Sequence, residues 1–159
     1  MIPQASRLWW PPLGTFLLVP LEDGTFGYGR ILPKPDMAFY NHRTTEASHD
    51  LDDIERQPVL FKQSVRLFDD DGWLALGARP LEGDVARPVV RFRQDIADYT
   101  RCYLYDTAGM KRMVTPQECV GIERAAVWDA PNIAERLLDT FMGRPNGEEI
   151  RSRVRFEDF

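Results

Sequence analysis

Residues that usually announce chemistry are scarce in this sequence. Its 159 residues include two cysteines, Cys102 and Cys119, and two histidines, His42 and His49. No Cys or His spacing matches a zinc site. So few cysteines make no disulfide framework, and two free thiols are the expected state. Cys102 alternates with Leu104 in a strand-like run, which suits a small buried apolar residue. There is no Gly-x-Ser-x-Gly elbow and no paired Cys–His pattern for nucleophilic catalysis. No segment approaches the roughly 20 apolar residues of a membrane span. Met1 to Leu13 carries Pro3, Pro11 and Pro12 and no long apolar run, so no signal peptide is read there and a cytosolic location is expected. Internal repeats and low-complexity linkers are also missing. One domain is expected over 1–159: an arm over 1–13, a core over 14–143, and a strand or tail over 144–159.

What is present is a globular composition, 43% hydrophobic and 28% charged, with a net charge of −5. Such a balance repels nucleic acid and suits a basic partner. "TFLLVPL" (Thr15–Leu21) reads as a buried strand, Asp23-Gly24 as a hairpin turn, and "TFGYGRIL" as the returning arm. Two glycines, Gly27 and Gly29, alternate on one face of that arm. A glycine packs nothing in a strand, so a pair there signals a sharp bend or a backbone or ring lying close. A plain two-residue loop would set Pro20, which has no N–H, in a hydrogen-bonded pair, so a longer loop, a bulge or an edge position is expected. Gly27-Tyr28-Gly29 is no phosphate loop, because Pro33 and Pro35 stop a helix from starting after it.

Further strands are read over Met37–His42, Val59–Phe68, Trp73–Leu81, Pro88–Gln94 and Tyr99–Thr107, and near Ile122–Trp128. Asp69-Asp70-Asp71-Gly72 reads as a hairpin turn between the second and third of these arms. It lacks the spacing of a calcium loop. "TPQECVG" predicts a short capped helix. Asp129 or Asn132 opens the one sizeable helix, with Ile133, Leu137, Leu138 and Phe141 on one stripe and Gly143 as its stop. Seven or eight strands and one late helix give an α+β fold with a strongly twisted, mostly antiparallel, partly barrel-like sheet.

The acidic run Glu46, Asp50, Asp52, Asp53 and Glu55 is read as an exposed loop with room for one helical turn. Charge runs are usually solvated surface, and a surface of this sign can also steer a basic protein. The turn Asp69, Asp70 and Asp71 is a second candidate of the same kind. An alternative is a β-barrel nucleic-acid-binding or regulatory module. Trp9, Trp10, Tyr28, Phe39 and Tyr40 would stack bases, and Arg87, Arg91, Arg93 and Arg101 would form a basic stripe.

Several pieces in order resemble the bacterial immunity protein 26 family. They are "FLLVPLEDGTFGYGRIL", "WLALGARPL", Pro88 to Gln94 with Phe92 and Gln94, "RMVTPQECVGIERAAVW" and "AERLLDTFMG", spanning Gly14 to Gly143. The acidic segment and the stretch after Gly143 lie outside these pieces. The resemblance implies a cytosolic protein that binds and neutralises a cognate toxin, with no catalysis and no cofactor. On that view Asp23, Gly24, Gly27 and Gly29 are the scaffold signature, and the acidic loops Glu46–Glu55 and Asp69–Asp71 carry partner choice.

Overall fold

The computed structural model describes residues 5–156, so the first residues of the expected arm and the last three of the expected tail lie outside it. The chain divides into two compact units. Unit 1 is the chain up to Ala86 together with Val127–Asn146, and unit 2 is Arg87–Ala126 with the chain from Gly147 on. The class is α+β. Among the described residues no helix is long and apolar enough to cross a membrane.

Unit 1 is a six-stranded sheet. Its strands are β1 (Thr15–Pro20), β2 (Phe26–Ile31), β3 (Asp36–Tyr40), β4 (Val59–Arg66), β5 (Leu74–Ala78) and β9 (Val127–Asp129), in the order β5-β1-β2-β3-β4-β9. Every pairing is antiparallel except β4 with β9. The sheet is twisted and does not close into a barrel. Among the described residues nine strands form, counting β6 (Val90–Gln94), β7 (Cys102–Asp106) and β8 (Lys111–Val114) of unit 2.

The β1–β2 loop is longer than two residues, as Pro20 requires: Pro20 pairs with Phe26 and Val19 with Gly27. Gly24, at φ +84°, makes its tight turn. The paired glycines have two different neighbours. At Gly27 a Cβ would meet Leu137 Cδ1 at 3.1 Å, so its bareness admits the helix α2 (Ala130–Phe141). At Gly29 a Cβ would lie 3.0 Å from the ring of Phe39, its cross-strand partner, which is buried against Phe61 (5.2 Å) and Trp73 (5.9 Å). Gly29→Val therefore drives a branched side chain into a fixed ring. A loss of about 1–3 kcal/mol is expected in chemical unfolding. A wild-type midpoint would show that Phe39 can move aside.

The predicted β4–β5 hairpin does not form. One edge of β4 takes β3 and the other takes β9, while β5 crosses to the free edge of β1. The Asp69–Gly72 turn redirects the chain instead of folding it back. Helix α2 covers the glycine face: Ile133, Leu137 and Leu138 are buried, and Arg136 lies 3.8 Å over the ring of Phe61. Asp129 sits at its N-cap, but its carboxylate pairs with Arg66 at 2.8 Å. The opposite face carries Phe16, Tyr28, Arg30 and Tyr40.

Unit 2 is the antiparallel sheet β6-β7-β8. Phe92, Cys102, Leu104, Val114 and Cys119 form its core. Burial and the nearby Cys102 push the Cys119 thiol up to about 11, so it stays protonated at neutral pH and packs as an apolar group. The capped helix predicted at Pro116 is a short 3-10 turn, Pro116–Cys119, in which Thr115 N–H donates to the Glu118 carboxylate at 3.2 Å. Where a strand or tail was expected, a helix forms, α3 (Gly147–Ser152). The alternation of Arg151, Arg153 and Arg155 suggested a strand, but helical-spaced ion pairs, Glu148–Arg151 (2.7 Å) and Glu149–Arg153 (2.8 Å), support the helix.

Candidate partner-binding surface

The acidic segment is built, not loose. Asp50 caps a short helix, α1 (Leu51–Arg56), its Oδ1 accepting from Asp53 N–H at 3.1 Å. Ile54 is fully buried and ties the helix to unit 1. Asp53 accepts from Arg56 at 3.0 Å and lies 3.5 Å from His42 Nε2. Asp52 pairs with Arg79 at 2.8 Å, and Glu55 lies 3.7 Å from Arg79 and 3.6 Å from Arg30. Glu46 is exposed on the preceding loop. The carboxylates thus stand on a rigid turn of helix, partly screened by arginines. Asp50 is a poor choice for probing charge alone: Asp50→Ala removes a cap and is expected to cost about 1 kcal/mol in thermal or urea unfolding. An unchanged midpoint would mean the cap is dispensable.

Beside α1 lies a cavity of about 370 Å³, lined by Arg30, Tyr40, Glu55, Val59, Asp84, Val85 and their neighbours. Arg30, one of its lining residues, is 1% exposed. Its Nε donates to Gly14 O (2.7 Å), Nη1 to the Tyr40 hydroxyl (3.1 Å), and Nη2 to Arg79 O (2.9 Å) and Pro80 O (3.2 Å). The guanidinium stacks 3.9 Å over Phe16. Burial raises the Tyr40 pKa, with the Arg30 hydrogen bond opposing, so the phenol stays neutral. Glu55, Glu82 and Asp84 stand along the lining, and Lys62 Nζ donates to Asp84 O at 2.7 Å. Val59, Val85, Pro58 and Pro80 beside the carboxylates of Glu55, Glu82 and Asp84 make a lining that suits a lysine or arginine side chain, whose stem packs on apolar surface while its charge meets a carboxylate. Among the described residues no group of three or more His, Cys, Asp or Glu is placed to hold a metal ion.

The second acidic candidate lies elsewhere. Asp69–Asp71 follow the far end of β4, whose near end adjoins α1. Eight residues of strand separate the two by about 26 Å. These aspartates also build their own turn. Asp71 accepts from Phe68 N–H (2.7 Å), Asp69 from Arg7 N–H (3.1 Å), and Asp70 from the Ser6 hydroxyl.

Asp23 organises the β1–β2 loop. It accepts from Thr25 Oγ1 (2.6 Å) and Arg43 Nη2 (2.8 Å). These bonds, Thr25 first, lower its pKa from 3.8 to about 2. A depressed carboxylate pKa gives a contribution present above pH 3.8 and lost as pH falls through about 2. Carbon-detected NMR is expected to show Asp23 titrating near 2 in the wild type. Arg43→Gln should move that midpoint upward. A midpoint of 3.8 in the wild type would mean the loop bonds do not persist in solution.

The aromatics proposed for base stacking are used elsewhere. Tyr28, Phe39 and Tyr40 are buried in unit 1, and Trp9 and Trp10 are half-buried. Of the four arginines, Arg91 is buried while Arg87, Arg93 and Arg101 are exposed. Sequence reading missed Tyr103 and Tyr105. They line an open groove on the outer face of β7, with Arg93 5.2 Å over Tyr105 and Lys111 5.4 Å over Tyr103. The alternation of Cys102, Leu104 and Asp106 against these two tyrosines was the available signal. It also missed Arg30, a lone arginine in an apolar strand.

Comparison with known proteins gives one family. The family described as Immunity protein 26 matches residues 12–103, more than half of the chain. That span holds β1 to β6, α1, the glycine pair and both acidic candidates, and ends within β7. The later pieces of the resemblance, from "RMVTPQECVGIERAAVW" onward, fall beyond the match. No curated protein and no solved structure matches the chain. The match over the glycine-paired sheet identifies this chain as a member of the immunity protein 26 family, and its role as that of an immunity protein.

Proposed function

We propose that this immunity protein acts by forming a stoichiometric complex with its cognate toxin, without catalysis, in the cytoplasm of the cell it protects. The toxin is met on the acidic surface of unit 1, at α1 and the lip of the adjoining cavity, and is itself basic, as a nuclease is. One observation carries this reading: the negative charge is segregated. Unit 1 has ten Arg and Lys against sixteen Asp and Glu, a net −6, whereas unit 2 has ten against nine, a net +1. A surface of one sign on a rigid element raises the capture rate of an opposite partner. The turn at Asp69–Asp71 would join the interface only for a toxin that runs the length of β4.

The test is co-expression with the toxin encoded beside this protein's gene. Growth should be rescued, and the two chains should co-elute in a 1:1 complex on size exclusion. Rescue without a complex would overturn neutralisation by binding, and no rescue would overturn the pairing.

A further inference from the structure

Unit 2 holds a cavity that the reading above does not use. It encloses about 310 Å³ and is lined by three arginines, Arg124, Arg151 and Arg155, with Tyr99, Gln94 and one carboxylate, Asp95, among their neighbours. Arg124 is half-buried and fixed in place. Its Nε donates to Ser152 O (3.0 Å), and Nη2 donates to Arg153 O (3.1 Å) and Gln94 Oε1 (3.3 Å). Its guanidinium lies 4.8 Å over Phe92. The same glutamine holds Arg155 by the backbone: Gln94 Oε1 accepts from Arg155 N–H (3.0 Å), and Gln94 Nε2 donates to Arg155 O (2.6 Å). The Arg155 side chain reaches the Tyr99 hydroxyl at 3.5 Å.

Gln94 therefore fixes the Arg124 guanidinium and the Arg155 backbone at one cavity while neutralising neither arginine. Among the described residues neither Arg124 nor Arg155 has a carboxylate partner. Arg151 spends its charge on Glu148, and Asp95 accepts from Ala97 N–H at 2.7 Å. Burial, and then repulsion from Arg155, lowers the Arg124 pKa. Like charges held together in a partly dry cavity are unfavourable unless an anion joins them. The Arg124 guanidinium cannot swing away, because carbonyl oxygens and Gln94 hold it, and the exposed Arg155 side chain is anchored at its backbone beside it.

We propose that this cavity is a binding site for a phosphate group. The donors come from the loop before β9, from α3, from the segment after it and from Tyr99. Donors converging from several directions suit a tetrahedral oxyanion better than a planar carboxylate, and guanidinium forks match its oxygens. Unit 2 is also the half of the chain whose charge does not repel an anion.

The full chain, with no toxin present, is titrated at low ionic strength with sodium phosphate, adenosine monophosphate and sodium acetate, followed by amide and arginine side-chain NMR shifts. Phosphate is expected to shift Gln94–Tyr99 and Arg151–Arg155 with a dissociation constant on the order of millimolar. Arg155→Gln should weaken binding about 10-fold, the loss of one charge-assisted hydrogen bond. Because the exposed Arg155 side chain carries no core packing, its thermal midpoint should stay at the wild-type value; Arg155→Lys, which keeps the charge and the backbone bonds to Gln94, should retain most of the binding. Tighter binding of the nucleotide than of phosphate would assign the group to a nucleotide, and equal binding to free phosphate. No shift with phosphate, equal shifts with acetate, or a titration unchanged in Arg155→Gln would overturn the proposal.

Discussion

Arg30→Met is expected to destabilise the protein by about 3–5 kcal/mol, since hydrogen bonds from a charged donor contribute about 1.5–3 kcal/mol each and several are lost together. Four hydrogen bonds run from this one guanidinium to β1's entry, to Tyr40 on β3 and to the chain just after β5. Methionine fills similar volume but donates nothing. The part-buried carbonyls of Arg79 and Pro80 and the buried Tyr40 hydroxyl all lose a charged donor. Arg30→Lys keeps the charge, but a single ammonium head cannot reach partners spread around a planar fork, so an intermediate loss is expected. Glu55→Gln should cost little, since Glu55 is 42% exposed and 3.6 Å from Arg30. Urea unfolding of the three variants checks the order. A wild-type midpoint for Arg30→Met would show that the network is ornament to a sheet held by its apolar contacts.

That network also shows where sequence reading stops. The fold class, the long β1–β2 loop, the glycine face and the late helix were legible because each is a local matter. Pro20 cannot donate, alternate glycines must leave room, and Ile133, Leu137 and Leu138 repeat at helical spacing. Pairings between distant segments were not legible. Nothing near Trp73–Leu81 says that its partner is β1, nearly sixty residues earlier, and not β4 across an inviting Asp-Gly turn. Likewise β9 is three residues long and pairs in parallel, and neither feature leaves a periodic signal. The C-terminal helix was obscured by an every-second-residue arginine pattern. For the candidate surface, the sequence showed the carboxylates but not their occupations. Asp50 looked like a spare charge and is a helix cap, Asp71 closes its own turn, and Asp69 and Asp70 accept from Arg7 and Ser6. Arg30 and Arg124, which organise the two cavities, gave no pattern at all, because what distinguishes them is burial.

Reversing Glu46 and Asp52 to lysine is expected to slow toxin capture by on the order of 10-fold at low salt, the scale of electrostatic steering. These two are chosen because they separate steering from folding. Glu46 is exposed on the loop before α1, and the exposed Asp52 pairs with the half-exposed Arg79 at the surface. A reversal that included Asp50 and Asp53 would also remove the cap and the bonds to Arg56 and His42, and would confuse lost structure with lost attraction. Long-range attraction acts before contact, so the change should fall on the association rate, with dissociation nearly untouched. It should also fade with salt. Near 0.5 M the screening length shrinks to about 4 Å, and wild type and variant should then associate at similar rates. Stopped-flow association at several salt concentrations gives both the rate and its salt slope. A double variant that captures toxin at the wild-type rate at low salt would place the interface away from α1. A variant whose deficit persists unchanged at 0.5 M would mean that Glu46 or Asp52 touches the toxin directly in the bound complex.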